Sequence, residues 1–200
     1  MECSMSALMK NGLKATTMDS IASSLQMSKR TLYEIFGSKE ELFIEVLKHF
    51  NKKMEEKLGE IFANSSNVME AIIRCFLFNR DLMSIVSAEF VRDLQEVARQ
   101  HSNEYSDSQK HRNFMALYDV LQRGVKEGYF IDGINLLVQC RMLILQMEAL
   151  KRTEELFPED ITLLEVYDNI IVVFLRGISS RKGLEELEKF LPSLSSSQIF

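Results

Sequence analysis

Thr17-Met18-Asp19-Ser20-Ile21-Ala22-Ser23-Ser24-Leu25-Gln26-Met27-Ser28-Lys29-Arg30-Thr31-Leu32-Tyr33-Glu34-Ile35-Phe36 is the stretch whose pattern decides the fold. Thr16 or Thr17 is a helix cap, and Ile21, Ala22 and Leu25 follow at the spacing of one inner helical face. Ser28 caps a second short helix that runs to about Phe36. In it Leu32, Ile35 and Phe36 form an apolar stripe, leaving Lys29, Arg30, Thr31, Tyr33 and Glu34 on other faces. A helix-turn-helix needs two short helices at a steep angle, a small residue where they meet, a tight turn, and a second helix whose outer face reaches base edges. Ala22 supplies the small residue, Gln26-Met27 the turn, and Met27, Leu32 and Ile35 the inner anchors.

The side chains around the second helix suit a DNA groove. Ser28, Lys29, Arg30 and Thr31 offer donors near its start, and Arg30 has the fork that pairs bidentately with guanine. Thr17, Tyr33 and Lys39 are expected at phosphates, Thr17 and Lys39 with help from helix N-termini. Ordinary capping and solvated charge account for each residue taken singly. Their occurrence together, in register, favours DNA.

Working outward, residues 5–11 read as the end of a helix closed by Gly12. Gly37 closes the second helix of the motif, and Ser38-Lys39-Glu40-Glu41 has the form of a capping box. Leu42, Val46, Phe50, Met54 and Leu58 then recur every four residues, which predicts one long amphipathic helix to about Ala63. Beyond the break at Asn64-Ser65-Ser66-Asn67, helices are expected over about 68–84, 86–104, 110–127, 133–152, 160–178 and 182–190. The polar stretch Ser102 to Ser108 and the turns at Gly128–Gly133 and Phe157–Asp160 separate them, and a serine-rich tail, Ser193 to Ser197, follows. Residues 134–150 and 161–175 are apolar on more than one face and need a second cover, for which a subunit interface is expected.

Composition agrees with an all-α chain of two domains, divided at about residue 50. Only eight glycines and two prolines occur in 200 residues, so strands have few places to turn. The net charge of −5 is uneven: residues 1–57 carry nine Lys/Arg against eight Asp/Glu, and residues 58–200 carry fifteen against twenty-one. A phosphate-facing surface fits the first part. The longest apolar run, Ile170 to Leu175, is far short of the ~20 residues of a membrane-spanning helix. No secretory signal opens the chain and no cysteine has a nearby partner, so a cytoplasmic protein without membrane contact is expected. Cys75 and Cys140 read as small buried hydrophobes.

Gly12 to Ala22, Met27 to Phe36 and Ser38 to Leu42 together resemble the DNA-binding module of the TetR family of bacterial transcriptional regulators. The resemblance covers about the first 50 residues, and Arg123 to Phe130 is similar to the usual end of that family's seventh helix. Two departures stand out: the chain begins almost inside the family's opening helix, and Gln26 occupies the turn position usually held by glycine. The resemblance implies a two-fold dimer joined through its last two long helices, here about 133–152 and 160–178. Two recognition helices would enter successive major grooves of a palindromic operator on double-stranded DNA, and a small-molecule effector would release them. Phe76, Phe78, Met83, Phe90, Phe114, Met115, Tyr118, Arg141 and Met142 are the candidates for its pocket, which neither the family nor the residues tie to one chemistry.

Two rivals stand beside a ligand-responsive repressor. An enzyme finds little support: His49, His101 and His111 stand apart from cysteines and paired carboxylates, the adjacent glutamates cannot share a helical face, and no glycine-rich phosphate loop occurs. No cofactor or metal is expected. A helical interaction protein whose motif no longer binds DNA is the second rival, kept open by the low positive charge of the first segment.

Overall fold

A computed structural model of the protein describes residues 2–100 and 104–190. The expected serine-rich tail and His101 lie outside those residues. Helices are α1 (Glu2–Ala15), α2 (Met18–Ser24), α3 (Lys29–Phe36), α4 (Lys39–Ala63), α5 (Val68–Met83), α6 (Ala88–Gln100), α7 (Glu104–Lys126), α8 (Leu136–Ala149), α9 (Thr153–Leu156), α10 (Leu163–Ile178) and α11 (Arg181–Phe190). A 3-10 turn at Leu150–Arg152 joins α8 to α9. No strand forms among the described residues; Phe130 and Ser179 make one isolated antiparallel bridge.

The all-α expectation holds, with local differences. Gly12, at φ 73° and ψ 172°, breaks the opening helix but does not close it, and a last turn follows to Ala15. α7 runs through the second half of the polar stretch expected as a break, beginning at Glu104. The single helix expected over 133–152 starts at Leu136, after an Asn135 cap, and gives way to the 3-10 turn. Thr162 caps α10, its hydroxyl oxygen accepting from the Glu165 N–H.

Two compact units result, and the chain passes between them three times. One comprises residues up to Gly59 together with Ile85–Asn103; the other comprises Glu60–Ser84 and everything from Glu104 onward. The division expected at residue 50 is therefore displaced, because α4 continues through it and α6 joins the first unit. Packing explains that membership. Phe90, Asp93 and Val97 form the buried side of α6, which packs against α1, where Leu8, Met9 and Leu13 are buried. Phe43 of α4 meets Phe90 edge to face, with ring centroids 5.9 Å apart.

In the second unit, Val68, Met69 and Ile73 of α5 share a core with Phe114, Leu121, Cys140, Leu175 and Leu187 from the surrounding helices. Gly124 lets the α7–α8 turn fold back: a Cβ there would fall 2.1 Å from the Phe130 ring. A smaller cluster joins Phe76, Leu150, Val166, Tyr167 and Val172. Beside it the Arg80 Nε donates to both carboxylate oxygens of Asp168, at 2.9 and 3.1 Å. Burial pushes Asp168 above the usual carboxylate range despite this partner. Cys75 is likewise raised, to about 11, so it is an unreactive thiol.

Candidate nucleic-acid interface

Each end of the motif's two helices is held by its own sequence. Thr17 caps α2, accepting from the Ser20 N–H at 3.1 Å, while the Ser20 hydroxyl accepts from the Thr17 N–H at 3.1 Å. The far end of α2 closes with the Gln26 N–H on Ser23 O at 3.2 Å and the Met27 N–H on Ala22 O at 3.0 Å. These are the paired bonds of a Schellman motif, which places its third-from-last carbonyl and a left-handed residue in fixed positions. Gln26 is that residue, with φ 55°. A side chain is disfavoured there, which is the cost the sequence implied by placing glutamine where glycine is usual.

Ser28 caps α3 by accepting from the Thr31 N–H at 3.0 Å, and the two hydroxyls lie 2.8 Å apart. Leu32 is fully buried and Phe36 half-buried one turn later, so the helix is anchored along one line. Ile35 corrects the sequence reading. It is 57% exposed, because a helix of eight residues seated on Leu32 and Phe36 turns position 35 outward. Tyr33 is also exposed, as are Ser28, Lys29, Arg30 and Thr31.

The first turn of α3 carries two cations and no acid. Cations at a helix N-terminus oppose the helix dipole, so Lys29 and Arg30 do not serve the helix itself. Carboxylates offset both. Asp19 of α2 accepts from Lys29 Nζ at 2.6 Å and raises that ammonium's pKa. Glu34, one turn along α3, accepts from Arg30 Nε at 2.9 Å. Neither acid had a role in the sequence reading; the i, i+4 spacing of Arg30 and Glu34 was the visible signal for one pair, while the Asp19–Lys29 pair depends on the angle between two helices.

Lys39 stands in the first turn of α4, its ammonium 3.5 Å from Lys14 O. Ser38 accepts from the Glu41 N–H at 3.1 Å, while the Ser38 N–H goes to Phe36 O, so the expected capping box is present in one direction. All seven residues expected at DNA thus lie in the first unit, around α2, α3 and the start of α4.

The nine candidate effector residues do not gather in the same way. Phe90 belongs to the first unit, on Phe43, whereas the other eight lie in the second. Phe76 is buried and stacked on Tyr167 at 5.6 Å. Met115 is exposed, Tyr118 accepts from the Gln122 amide, and the Arg141 guanidinium lies 4.3 Å over the Phe114 ring. Met142 lines an open groove of about 530 Å³ between α8 and α10, with Ile134, Phe157, Ile170, Val173 and Phe174 among its walls.

Residues 3–46 match the family described as bacterial regulatory proteins, tetR family. Over this module the chain is similar to the TetR family. The HTH-type transcriptional repressor KstR2 of Mycobacterium tuberculosis is 27% identical over 129 residues, 63% of this chain and 64% of that repressor. The match thus spans less than two thirds of this curated relative's length. The structure of the ketosteroid transcriptional regulator KstR2 of Mycobacterium tuberculosis is similar with a TM-score of 0.59 at 22% identity, over 90% of this chain and 93% of that one. The transcriptional regulator FadR from Bacillus subtilis in complex with stearoyl-CoA gives a TM-score of 0.62 at 16% identity, over 88% and 96%. At these identities the structural likeness is one of fold. Among the described residues no helix is long and apolar enough to cross a membrane, and no group of three or more His, Cys, Asp and Glu side chains is placed to hold a metal ion.

Proposed function

We propose that this chain is a cytoplasmic transcriptional repressor of the TetR type that binds a palindromic operator as a homodimer and releases it on binding a small molecule. The observation that carries the reading is α3, where a fully buried Leu32 holds a helix whose Ser28-to-Tyr33 surface is exposed and led by two cations. In this reading Arg30 and Thr31 meet base edges, with Ser28 and Lys29 beside them. Thr17, Tyr33 and Lys39 set the register on phosphates.

Dimerisation is assigned to α8 and α10. Val138, Met142 and Leu145 form a stripe at i, i+4 and i+7 along α8, each about half exposed or more, and Val173 on α10 is 66% exposed. Large apolar side chains standing together in water favour a covering surface. A second copy offering the same two helices forms the self-complementary contact of a two-fold dimer. Effector binding is assigned to the second unit, with Met115, Tyr118 and Arg141 as candidates; FadR, solved with stearoyl-CoA, makes a long-chain acyl-CoA a reasonable first probe.

Selection of bound sequences from random DNA tests the reading. The expected product is a palindrome whose half-sites are about 34–36 Å apart, or a multiple of that spacing. A pool without any enriched sequence would favour a helical interaction protein instead. Screening small molecules against the selected duplex then identifies the effector by release, which requires that it bind the free state more tightly than the DNA-bound one.

A further inference from the structure

We propose that Glu34 is a specificity-determining positioning residue, which holds Arg30 by its Nε so that the terminal edge of the guanidinium is presented to a guanine. This rests on the DNA-binding reading above. Arg30 Nε donates to Glu34 Oε1 at 2.9 Å, and both side chains are exposed, at 89% and 61%. The guanidinium is a rigid planar fork, so fixing its Nε side also fixes the direction of its two outer nitrogens. Among the described residues no other group partners those nitrogens. A bidentate contact to guanine O6 and N7 needs that outer edge.

Charge makes the argument sharper. A carboxylate on a DNA-facing helix repels phosphates and lowers affinity for every sequence. Glu34 therefore works against general binding, and a discrimination gained through Arg30 is the effect that offsets this. In water an exposed i, i+4 pair holds its geometry weakly. In a groove, where water is displaced and the local dielectric falls, the same contact strengthens. The Asp19–Lys29 pair differs, because it ties α3 to another helix and does not run along the reading helix.

The test compares wild type, R30A, E34A and E34Q by selection from random DNA, followed by affinity measurements on the selected duplex and single-base variants. Wild type is expected to enrich one guanine per half-site that R30A no longer prefers. A bidentate arginine–guanine contact discriminates by roughly ten- to a hundredfold. E34A is expected to lower that preference about five- to tenfold while its affinity for unrelated DNA rises. E34Q keeps an acceptor oxygen for Nε and is expected to retain more of the preference than E34A.

The proposal is overturned if E34A keeps the guanine preference and binds all sequences more tightly, because Glu34 then only repels phosphate. It is also overturned if E34A instead erases a cytosine preference at another position, since Glu34 then reads a base directly. An unstructured wild-type pool overturns the DNA-binding reading, and this proposal with it. Circular dichroism of each variant confirms folding independently of binding.

Discussion

Asp93, a buried carboxylate on α6, accepts the backbone N–H of Leu13, just past the break that Gly12 makes in α1. Eighty residues separate donor and acceptor. Around this contact the Ser87 N–H donates to Met9 O at 2.9 Å, and Lys14 pairs with Glu96 at 3.3 Å. A Cβ at Gly12 would stand 2.6 Å from Asp93 Oδ2 and 2.9 Å from Glu89 Cβ. The Leu13 N–H at the break in α1 is thus satisfied by a side chain from α6, whose two flanking segments continue into the second unit.

Removing the Asp93 carboxylate leaves the Leu13 N–H buried without a partner. Asp93→Ala is expected to cost about 1–3 kcal/mol, and Asp93→Asn less, since its amide oxygen still accepts. Gly12→Ala combines a positive φ with a steric clash and is expected to destabilise at least as much. Urea unfolding of the three variants measures the order; equal stability of Asp93→Ala and wild type would show that the contact contributes nothing.

Gln26 holds φ 55° in the motif's turn. Gln26→Gly relieves the left-handed strain and is expected to raise stability by about 1 kcal/mol, although glycine's greater freedom in the unfolded chain offsets part of the gain. Operator preference should not change, because Gln26 lies outside α3. Thermal unfolding together with binding to the selected duplex checks both halves.

Arg80→Ala is expected to cost about 3 kcal/mol at neutral pH by leaving the Asp168 carboxylate buried and unpaired. Asp168 already has a raised folded-state pKa, so the folded chain holds its proton at a pH where the unfolded chain has lost it. Such a group favours folding more as the pH falls through its folded-state value and less as it rises. Loss of Arg80 removes the partner that lowered this pKa and raises it further. The deficit of Arg80→Ala is therefore expected to shrink from pH 7.5 to pH 5, measured as the difference in unfolding free energy from wild type.

Leu145→Lys with Val173→Asp places charge on the most exposed apolar side chains of α8 and α10. Sedimentation equilibrium is expected to show a monomer for the variant and a dimer for wild type. Operator affinity should fall with it, since one reading helix then binds alone. An unchanged dimer would assign the subunit contact to another face.

Much of this fold was legible because it is written locally. Thr17, Ser28 and Ser38 cap helices through residues three positions away, and Leu42 and Val46, four positions apart on α4, are both buried. What the sequence did not reveal depends on distant packing. That α6 joins the first unit rests on Asp93 meeting a backbone amide eighty positions earlier, which no local pattern marks. Ile35 was misplaced because an apolar residue in so short a helix has two plausible faces until its neighbours are known. Aromatic and apolar character is shared by core and pocket and does not separate them; hence Phe76 stacks within a core and Phe90 sits in the other unit.

Affinity for the selected operator as a function of salt, for wild type and Lys39→Ala, tests most directly that the α2–α3 module and the start of α4 form a DNA-binding surface. Log K for wild type is predicted to fall linearly with log salt, with a slope near −0.9 for each phosphate neutralised. Lys39→Ala is predicted to weaken binding to all sequences alike and to reduce that slope by about 1 for each half-site. A salt-independent affinity, or a slope and affinity unchanged by Lys39→Ala, would contradict this placement of the DNA.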